Sequence, residues 1–174
     1  YRAGVSEGQI ERVVSDEVKR GCLEAFDEAG IKEEESFFSF YVVTQRDGTQ
    51  LIDAKTRSKP PPGFVVEDRI TGPSSFYMQA HSGAIEPPKY MALQGSYCHG
   101  GATQDMNQKI QILSNDLCHL YTNWAGTVPL PSLLTYAVKC TEWLEQTGIS
   151  GSSEGLRQFY DSLCASGAHT KPFY

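Results

Sequence analysis

Hydrophobic residues recur at three- and four-residue steps near the start of the chain, and this spacing predicts an amphipathic helix. The stripe consists of Ile10, Val13, Val14, Val18, Cys22 and Phe26. Ser6 and Gln9 have the spacing of a capping box, in which the two side chains satisfy free backbone N–H groups where a helix begins. Gly30 stands where a glycine commonly ends a helix, so we expect the helix to stop there.

Apolar runs in the middle of the chain predict four β-strands, of which the first is nearly continuous in bulky side chains. A strand of that kind is buried on both faces and therefore lies centrally in a mixed or parallel sheet. A turn is predicted at Asp47-Gly48 and a loop over 60–63, where three prolines cannot continue a ladder. The predicted strands are Phe37–Val43, Phe64–Glu67, Phe76–Ala80 and Tyr90–Leu93.

Helical spacing returns in the last third of the chain. Pro131 suits a first helical turn, and it precedes a predicted helix from Ser132 to Gln146. The order of helix, strands and helices describes an α/β layer with a mixed sheet flanked by helices, and we expect that sheet to be incomplete. The other two helical stripes are Met106, Ile110, Leu113, Leu117 and Leu120, and then Leu156, Phe159, Tyr160 and Leu163.

Composition excludes several classes of protein. Hydrophobic residues are 40% and charged residues 21% of the chain, which is ordinary globular composition. No apolar run approaches the roughly 20 residues that cross a bilayer, so we predict no membrane association. The net charge of −6 argues mildly against nucleic acid, although the charge of a groove is local.

The five cysteines are odd in number and lack a CxxC pair, so neither a zinc ribbon nor a disulfide framework is predicted. Reduced thiols in an intracellular protein are the simpler interpretation. The pairs Cys98-His99 and Cys118-His119 are not predicted to bind metal, because adjacent side chains rarely converge on one ion.

Four segments, in this order, resemble the PIWI domain of Argonaute and Piwi proteins. Tyr1–Gln9 reads YRAGVSEGQ where the family has YRDGVSEGQ, and Tyr41–Arg46 is similar to a strand ending in VVQKR. Pro61–Gly83 resembles PPGTVVD…ITHP followed by SHAG. Leu117–Trp124 reads LCHLYTNW, close to the Piwi-side LCHLYYNW, and a Val-Pro-x-Pro segment follows it.

The resemblance implies an RNase H-like fold that holds a guide RNA and its paired target. It also implies that residues 1–174 are the C-terminal part of a PIWI domain. In the family, the first strands of the sheet and the first catalytic Asp come before the position of Tyr1. We therefore expect this chain to be stable only with that upstream half of the same protein.

In active family members, carboxylates and a His hold two divalent metals at the scissile phosphate. Here the Asp of the YRDG motif is Ala3, and the His after the P-x-P segment is also missing. Aligning on Tyr136-Ala137 places Val138 at the His position, whereas aligning on the prolines places Tyr136 there. Val138 is preferred because Lys139 then falls where Piwi proteins carry Lys. We expect no metal at this site and no cleavage.

The resemblance implies nucleic-acid contacts at six positions, each with a structural alternative. Gln45 and Arg46 match positions that reach the guide backbone, but they also suit a solvated turn. For a lone His or an exposed helical Lys, packing or solvation is the alternative to contact with RNA. Trp124 and Trp143 are interpreted as packing residues. The six positions are Gln45, Arg46, His81, Thr127, Lys139 and Tyr174.

At the C-terminus, the carboxylate of Tyr174 is implied to lie near the guide 5′ phosphate, in some relatives through Mg²⁺. The alternative is a frayed tail.

The leading hypothesis is small-RNA-guided silencing in which the protein binds guide and target without cutting and recruits silencing effector proteins. One alternative is a slicer endoribonuclease in which Ala3 is an engineered replacement for Asp. Another is a partner-docking scaffold that uses pockets between the C-terminal helices. The expected location is the cytoplasm, including ribonucleoprotein granules, with the nucleus as the alternative.

Overall fold

The computed structural model describes residues 1–31, 38–67, 70–72, 74–83, 86–93 and 103–147, with 154, 155, 157, 158 and 161. Its five strands form one mixed sheet in the order β1-β2-β5-β4-β3. The first two strands are parallel and the remaining pairs are antiparallel. The strands are β1 (Arg2–Ala3), β2 (Tyr41–Thr44), β3 (Phe64–Glu67), β4 (Ser75–Gln79) and β5 (Lys89–Ala92).

Strand β2 lies inside the sheet and is buried on both faces, as its apolar sequence predicted. Tyr41 and Val43 point into one hydrophobic cluster, and Val42 points into the cluster on the opposite face. The strand is shorter than predicted, since Phe38 forms only an isolated bridge and Phe37 lies outside the described residues. Strand β3 has the predicted bounds, whereas β4 and β5 each begin and end one residue earlier than predicted.

The first helical region covers the face of the sheet that carries Val42. It begins with a 3₁₀ turn (Glu7–Gln9), continues through α1 (Ile10–Val13) and a π-helix (Val14–Leu23), and ends with α2 (Glu24–Glu28). The side chain of Gln9 accepts a hydrogen bond from the Ser6 backbone N–H at 3.1 Å, as the predicted capping box requires.

The predicted amphipathic helix is present, but ten of its residues adopt the π conformation and not the α conformation that three- and four-residue spacing indicates. Val13 and Val18 are five positions apart and both are buried against the sheet. A helix closed by bonds between residues five apart brings such positions onto one face, which an α-helix does less well. The burial of both valines therefore accompanies the wider helix.

Two long helices, α3 (Thr103–Cys118) and α4 (Ser132–Thr147), contribute to the cluster on the other face. The predicted stripe on α3 was partly wrong, because Leu113 and Leu120 are exposed. The buried positions are Ile110, Ser114 and Cys118, which follow at four-residue steps. Ser114 tolerates burial because its hydroxyl hydrogen-bonds the Tyr1 hydroxyl at 2.9 Å.

The start of α4 agrees with prediction, and the carbonyl of Pro131 accepts the backbone N–H of Leu134 at 2.9 Å. Of the last predicted helix, the described residues Glu154, Gly155, Arg157, Gln158 and Asp161 are helical, and its four apolar residues lie outside the described part. None of the described helices has the length and apolar character to cross a membrane.

Candidate nucleic-acid interface

Three strands of the sheet end at the same edge. Strand β5 is antiparallel to both β2 and β4, so those two strands run in one direction, and β1 is parallel to β2. Their carboxyl ends are followed by Gly4, by Gln45 and Arg46, and by Ala80 and His81. The topology thus gathers at one edge three of the residues predicted to bind nucleic acid, although they are far apart in the sequence.

Gln45 and Arg46 are exposed at the start of a turn that is tied to the sheet. The Tyr77 hydroxyl donates to Oδ2 of Asp47 at 2.5 Å, and the Thr49 backbone N–H donates to Oδ1 at 3.0 Å. Arg46 has a φ of 59°, a left-handed conformation that is uncommon for residues other than glycine. The turn is therefore solvated, as the alternative interpretation expected, and its backbone carries the exposed guanidinium of Arg46 at this end of the sheet.

The ionisation of Asp47 follows from its hydrogen bonds. Burial acts to raise the pKa of Asp47, but the bonds from Tyr77 and Thr49 outweigh it and the pKa is lowered. Burial, together with the same contact, raises the pKa of Tyr77. Asp47 is therefore an anion at neutral pH, and its carboxylate stabilises the turn by accepting these hydrogen bonds.

His81 follows β4 and its ring is held by the backbone. The Gly83 N–H donates to Nδ1 at 3.0 Å, and the side-chain amide of Gln79 donates to the His81 carbonyl at 2.6 Å. With Nδ1 as acceptor, a neutral His81 carries its proton on Nε2, which is then a donor. Such a group can donate to a phosphate oxygen, so the contact predicted for His81 is chemically available.

Ala3 supplies no ligand for a metal. It pairs with Val43 in the sheet, and its methyl group packs against the cluster that includes Leu134 of α4. Divalent metals such as Mg²⁺ require oxygen ligands, which a methyl group lacks. Within the part of the chain that the structure describes, no group of three or more His, Cys, Asp or Glu side chains could hold a metal ion.

The structure gives different surroundings to the two candidates for the missing His position. Val138 lies one turn after Leu134 on α4, and its side chain is 46% exposed. Tyr136 is held in place, because its hydroxyl accepts the Thr122 backbone N–H at 3.0 Å and its ring lies 5.0 Å from that of Tyr121. The aliphatic side chain of Val138 offers no donor atom to a metal, and the hydroxyl of Tyr136 is already engaged.

The other three predicted binding residues belong to other parts of the chain. Thr127 is in the connection between α3 and α4, and its hydroxyl hydrogen-bonds Nδ1 of His119 at 3.1 Å. Lys139 is exposed on α4. Tyr174 lies outside the described residues, and so does the Mg²⁺ interaction expected at the C-terminus.

Lys89 is a neighbour of this edge that sequence reasoning missed. It pairs with Thr44 on one side and Tyr77 on the other, and its ammonium lies 6.0 Å from the Tyr77 ring centroid. A lysine just before the predicted strand Tyr90–Leu93 looks like a solvated end residue. Its alignment with the end of β2 and the middle of β4 required the register of the sheet.

A mixed sheet with helices on both faces, whose parallel strands end at a polar edge, defines an RNase H-like α/β domain. Residues 1–147 match the Piwi domain family, and the chain belongs to that family.

Individual relatives agree with this assignment. Protein piwi of Drosophila melanogaster is 33% identical over 145 residues, which are 80% of this chain and 16% of that protein. The crystal structure of Drosophila Piwi superposes with a TM-score of 0.61 at 29% identity, covering 83% of this chain and 20% of that one.

A crystal structure of Kluyveromyces polysporus Argonaute with a guide RNA has a TM-score of 0.59 at 23% identity, covering 80% of this chain and 17% of that one. At that identity the likeness supports the fold alone. The chain thus spans between 16% and 20% of the length of these three relatives.

Proposed function

We propose that this chain is the C-terminal part of the PIWI domain of a small-RNA-guided silencing protein, which holds a guide RNA and its paired target without cutting. The observation that carries the proposal is that Gln45, Arg46 and His81 all follow strands that end at the same edge of the sheet. Its exposed cation and its oriented imidazole donor suit phosphate oxygens. Membership of the Piwi domain family supports RNA as the source of these phosphates, and one structural neighbour was solved with a guide RNA.

The absence of cleavage in this proposal rests on the residues at two positions. A two-metal mechanism needs ligands that place both ions beside the scissile phosphate. Ala3 and Val138 carry no oxygen or nitrogen in their side chains. Specificity then comes from base pairing, and silencing depends on the recruitment of effector proteins by the complete protein, in the cytoplasm or the nucleus.

The first experiment is to purify the complete protein that contains this chain and to 5′-end-label the nucleic acid that comes with it. We expect a narrow band of short RNA. The absence of bound nucleic acid, together with no uptake of a 5′-phosphorylated RNA, would contradict the proposal.

A second experiment distinguishes a protein that has naturally lost cleavage from a slicer in which Asp was replaced by Ala3. The loaded protein is incubated with a complementary target and Mg²⁺, as wild type, as Ala3→Asp and as Ala3→Asp/Val138→His. We expect no cutting by the wild type or by the single variant, because the single variant still lacks the second ligand. Metal-dependent cutting by Ala3→Asp alone would favour the slicer alternative.

Exposed apolar side chains favour partner docking as a second function. Trp124 is 65% exposed and Leu133 is 59% exposed, at the loop before α4 and at its first turn. Trp124 was predicted to be a packing residue, and its exposure makes that interpretation wrong. The variant Trp124→Ala/Leu133→Ala tests the idea: loss of co-purifying effector proteins with unchanged guide RNA would support docking, and unchanged partners would contradict it.

A further inference from the structure

The connection between β2 and β3 carries three cationic side chains for which the resemblance to the PIWI domain implied no function. Lys55, Arg57 and Lys59 occupy alternate positions, and all three are exposed. Residues 45–63 hold four cationic and two anionic side chains, a net charge of +2 in a chain whose net charge is −6. Positive charge is therefore concentrated in this connection.

The two carboxylates of the connection are engaged in turns. Oδ1 of Asp53 accepts the backbone N–H groups of Lys55 at 2.7 Å and Thr56 at 2.8 Å, and these bonds lower the pKa of Asp53. Asp47 is held by Tyr77 and Thr49. The ion pairs found among the described residues involve none of the three loop cations.

Hydrogen bonds close residues 53–58 into an ordered turn. The Asp53 N–H donates to the Ser58 carbonyl at 2.8 Å, and the Arg57 N–H donates to the Asp53 carbonyl at 2.9 Å. Arg57 adopts a left-handed conformation with a φ of 56°. Since the backbone is already fixed, binding through these side chains orders little additional chain.

Both ends of the connection lie at the candidate interface. It leaves the sheet after Thr44 and returns at Phe64, which pairs with Gln79 at the end of β4. The Gly63 N–H donates to the Gln79 carbonyl at 2.8 Å. The basic turn (residues 53–59) therefore belongs to a connection that is attached to the sheet at the edge carrying Arg46 and His81.

We propose that Lys55, Arg57 and Lys59 form a phosphate-binding turn that contacts the sugar–phosphate backbone of the bound RNA. The inference rests on the proposed function and extends the interface beyond Gln45, Arg46 and His81. Exposed Lys and Arg side chains contact phosphates, and residues 45–63 carry no aromatic side chain on which a base could stack, so the contribution is independent of RNA sequence.

The test compares Lys55→Gln/Arg57→Asn/Lys59→Gln with the wild type in the complete protein. Asn is chosen at 57 because it tolerates the left-handed conformation better than other side chains. The matched control is Arg12→Gln/Lys19→Gln/Arg20→Gln, which removes the same charge from the first helical region. Fluorescence anisotropy measures binding of a 5′-phosphorylated guide, and binding of target by the loaded protein, over a series of salt concentrations.

We expect the loop variant to bind more weakly, by a similar factor for unrelated RNA sequences. Its slope of log K against log salt concentration should fall by about 2, at roughly 0.7 per phosphate contact for three contacts to a single strand. A loss already seen with guide alone assigns the contact to the guide backbone. A loss confined to target binding assigns it to the target strand.

The inference is overturned if the loop variant matches the control in both affinity and salt slope, or if its loss depends on RNA sequence. These outcomes are distinct from failure of the proposed function, in which the wild type itself binds no RNA. Equal melting temperatures of variant and wild type establish that any loss of binding is not a loss of folding.

Discussion

The ring of His81 rests directly on Gly83, which constrains both residues. A Cβ atom at position 83 would lie 2.5 Å from Cε1 of His81, closer than carbon atoms approach. Any larger residue must therefore push the ring aside and disturb the bond from the Gly83 N–H to Nδ1. The imidazole can then no longer present Nε2 in a fixed direction.

We predict that Gly83→Ala weakens guide RNA binding by about tenfold, the effect of losing one hydrogen bond to a charged group. The measurement is anisotropy with a 5′-phosphorylated RNA. Gly8→Ala is the matched control, since a Cβ there has no neighbour within 4 Å. Equal affinities of the two variants would show that the His81 orientation does not matter for binding.

The thiol of Cys118 is buried beside the hydroxyl of Tyr90. Burial raises the pKa of Cys118 to about 12, and the contact with Tyr90 only partly opposes this. The folded thiol thus keeps its proton at pH values where an unfolded thiol, with a pKa of about 9, ionises. Stability from this group is complete below pH 9 and is lost as the pH rises toward 12.

We predict that the melting temperature falls between about pH 9 and about pH 11, and that Cys118→Ala makes this fall less steep. Tyr1 and Tyr90, whose pKa values are also raised by burial, account for the remainder. At about pH 8, alkylation followed by mass spectrometry should modify the partly exposed Cys22 and Cys140 before Cys118. Rapid modification of Cys118 in the folded protein would contradict its assigned environment.

At the scale of elements, the end of the first helical region depends on one glycine. Gly30 has a φ of 69°, and its N–H donates to the Asp27 carbonyl at 3.0 Å. The Ile31 N–H donates to the Phe26 carbonyl at 2.9 Å. These two bonds are the Schellman arrangement, in which a left-handed residue satisfies the last helical carbonyls.

We predict opposite effects for two glycine substitutions in this region. Gly30→Ala should lower the free energy of unfolding by about 1 kcal/mol, because alanine is strained in the left-handed conformation. Gly21→Ala should leave it unchanged or raise it by up to about 1 kcal/mol, since a Cβ there makes only an ordinary contact at 3.6 Å. Thermal melting of both variants provides the measurement, and equal changes would contradict the Schellman assignment.

The ends of helices and strands were predictable from the sequence where interactions between neighbouring residues determine them. The capping residues, the glycine stop and the bounds of β3 depend on neighbouring residues and were predicted correctly. The π-helix and the exposed Leu113 were not predictable, because both depend on how a helix meets the sheet.

At the scale of the molecule, the outer edge of β1 is unpaired in the part of the chain that the structure describes. At the start of β1 and β2, against α3, opens a mainly apolar cavity of about 240 Å³ lined by Tyr1, Phe38, Ser39, Tyr41, Ile110 and Leu113. An open strand edge next to apolar surface is prone to pair with other chains. We propose that strands of the upstream half of the domain cover it.

We therefore predict that residues 1–174 expressed alone self-associate, and that co-expression with the upstream half yields a defined complex. Size-exclusion chromatography with light scattering distinguishes the two states. A soluble, folded monomer of the isolated chain would contradict the prediction. Urea-refolded samples of both preparations serve as controls for aggregation that arises during expression.

The candidate site was predictable only in its parts. Gln45, Arg46 and His81 were named from motif resemblance, but their common location depends on β5 running antiparallel to both β2 and β4. Lys89 and the basic turn were missed, since an isolated lysine or a loop charge has no distinctive local signal. Long-range register decides which of these groups are neighbours.

By itself, the sequence determined the family, the α/β class, the helix ends and the absence of donor atoms at Ala3 and Val138. Each of these follows from residue identity or from spacing along a few turns of chain. Only the tertiary structure decided which side chains share an edge, which face of α3 is buried and where the π-helix forms. Those outcomes depend on strand order and on contacts between residues distant in sequence, which local periodicity does not encode.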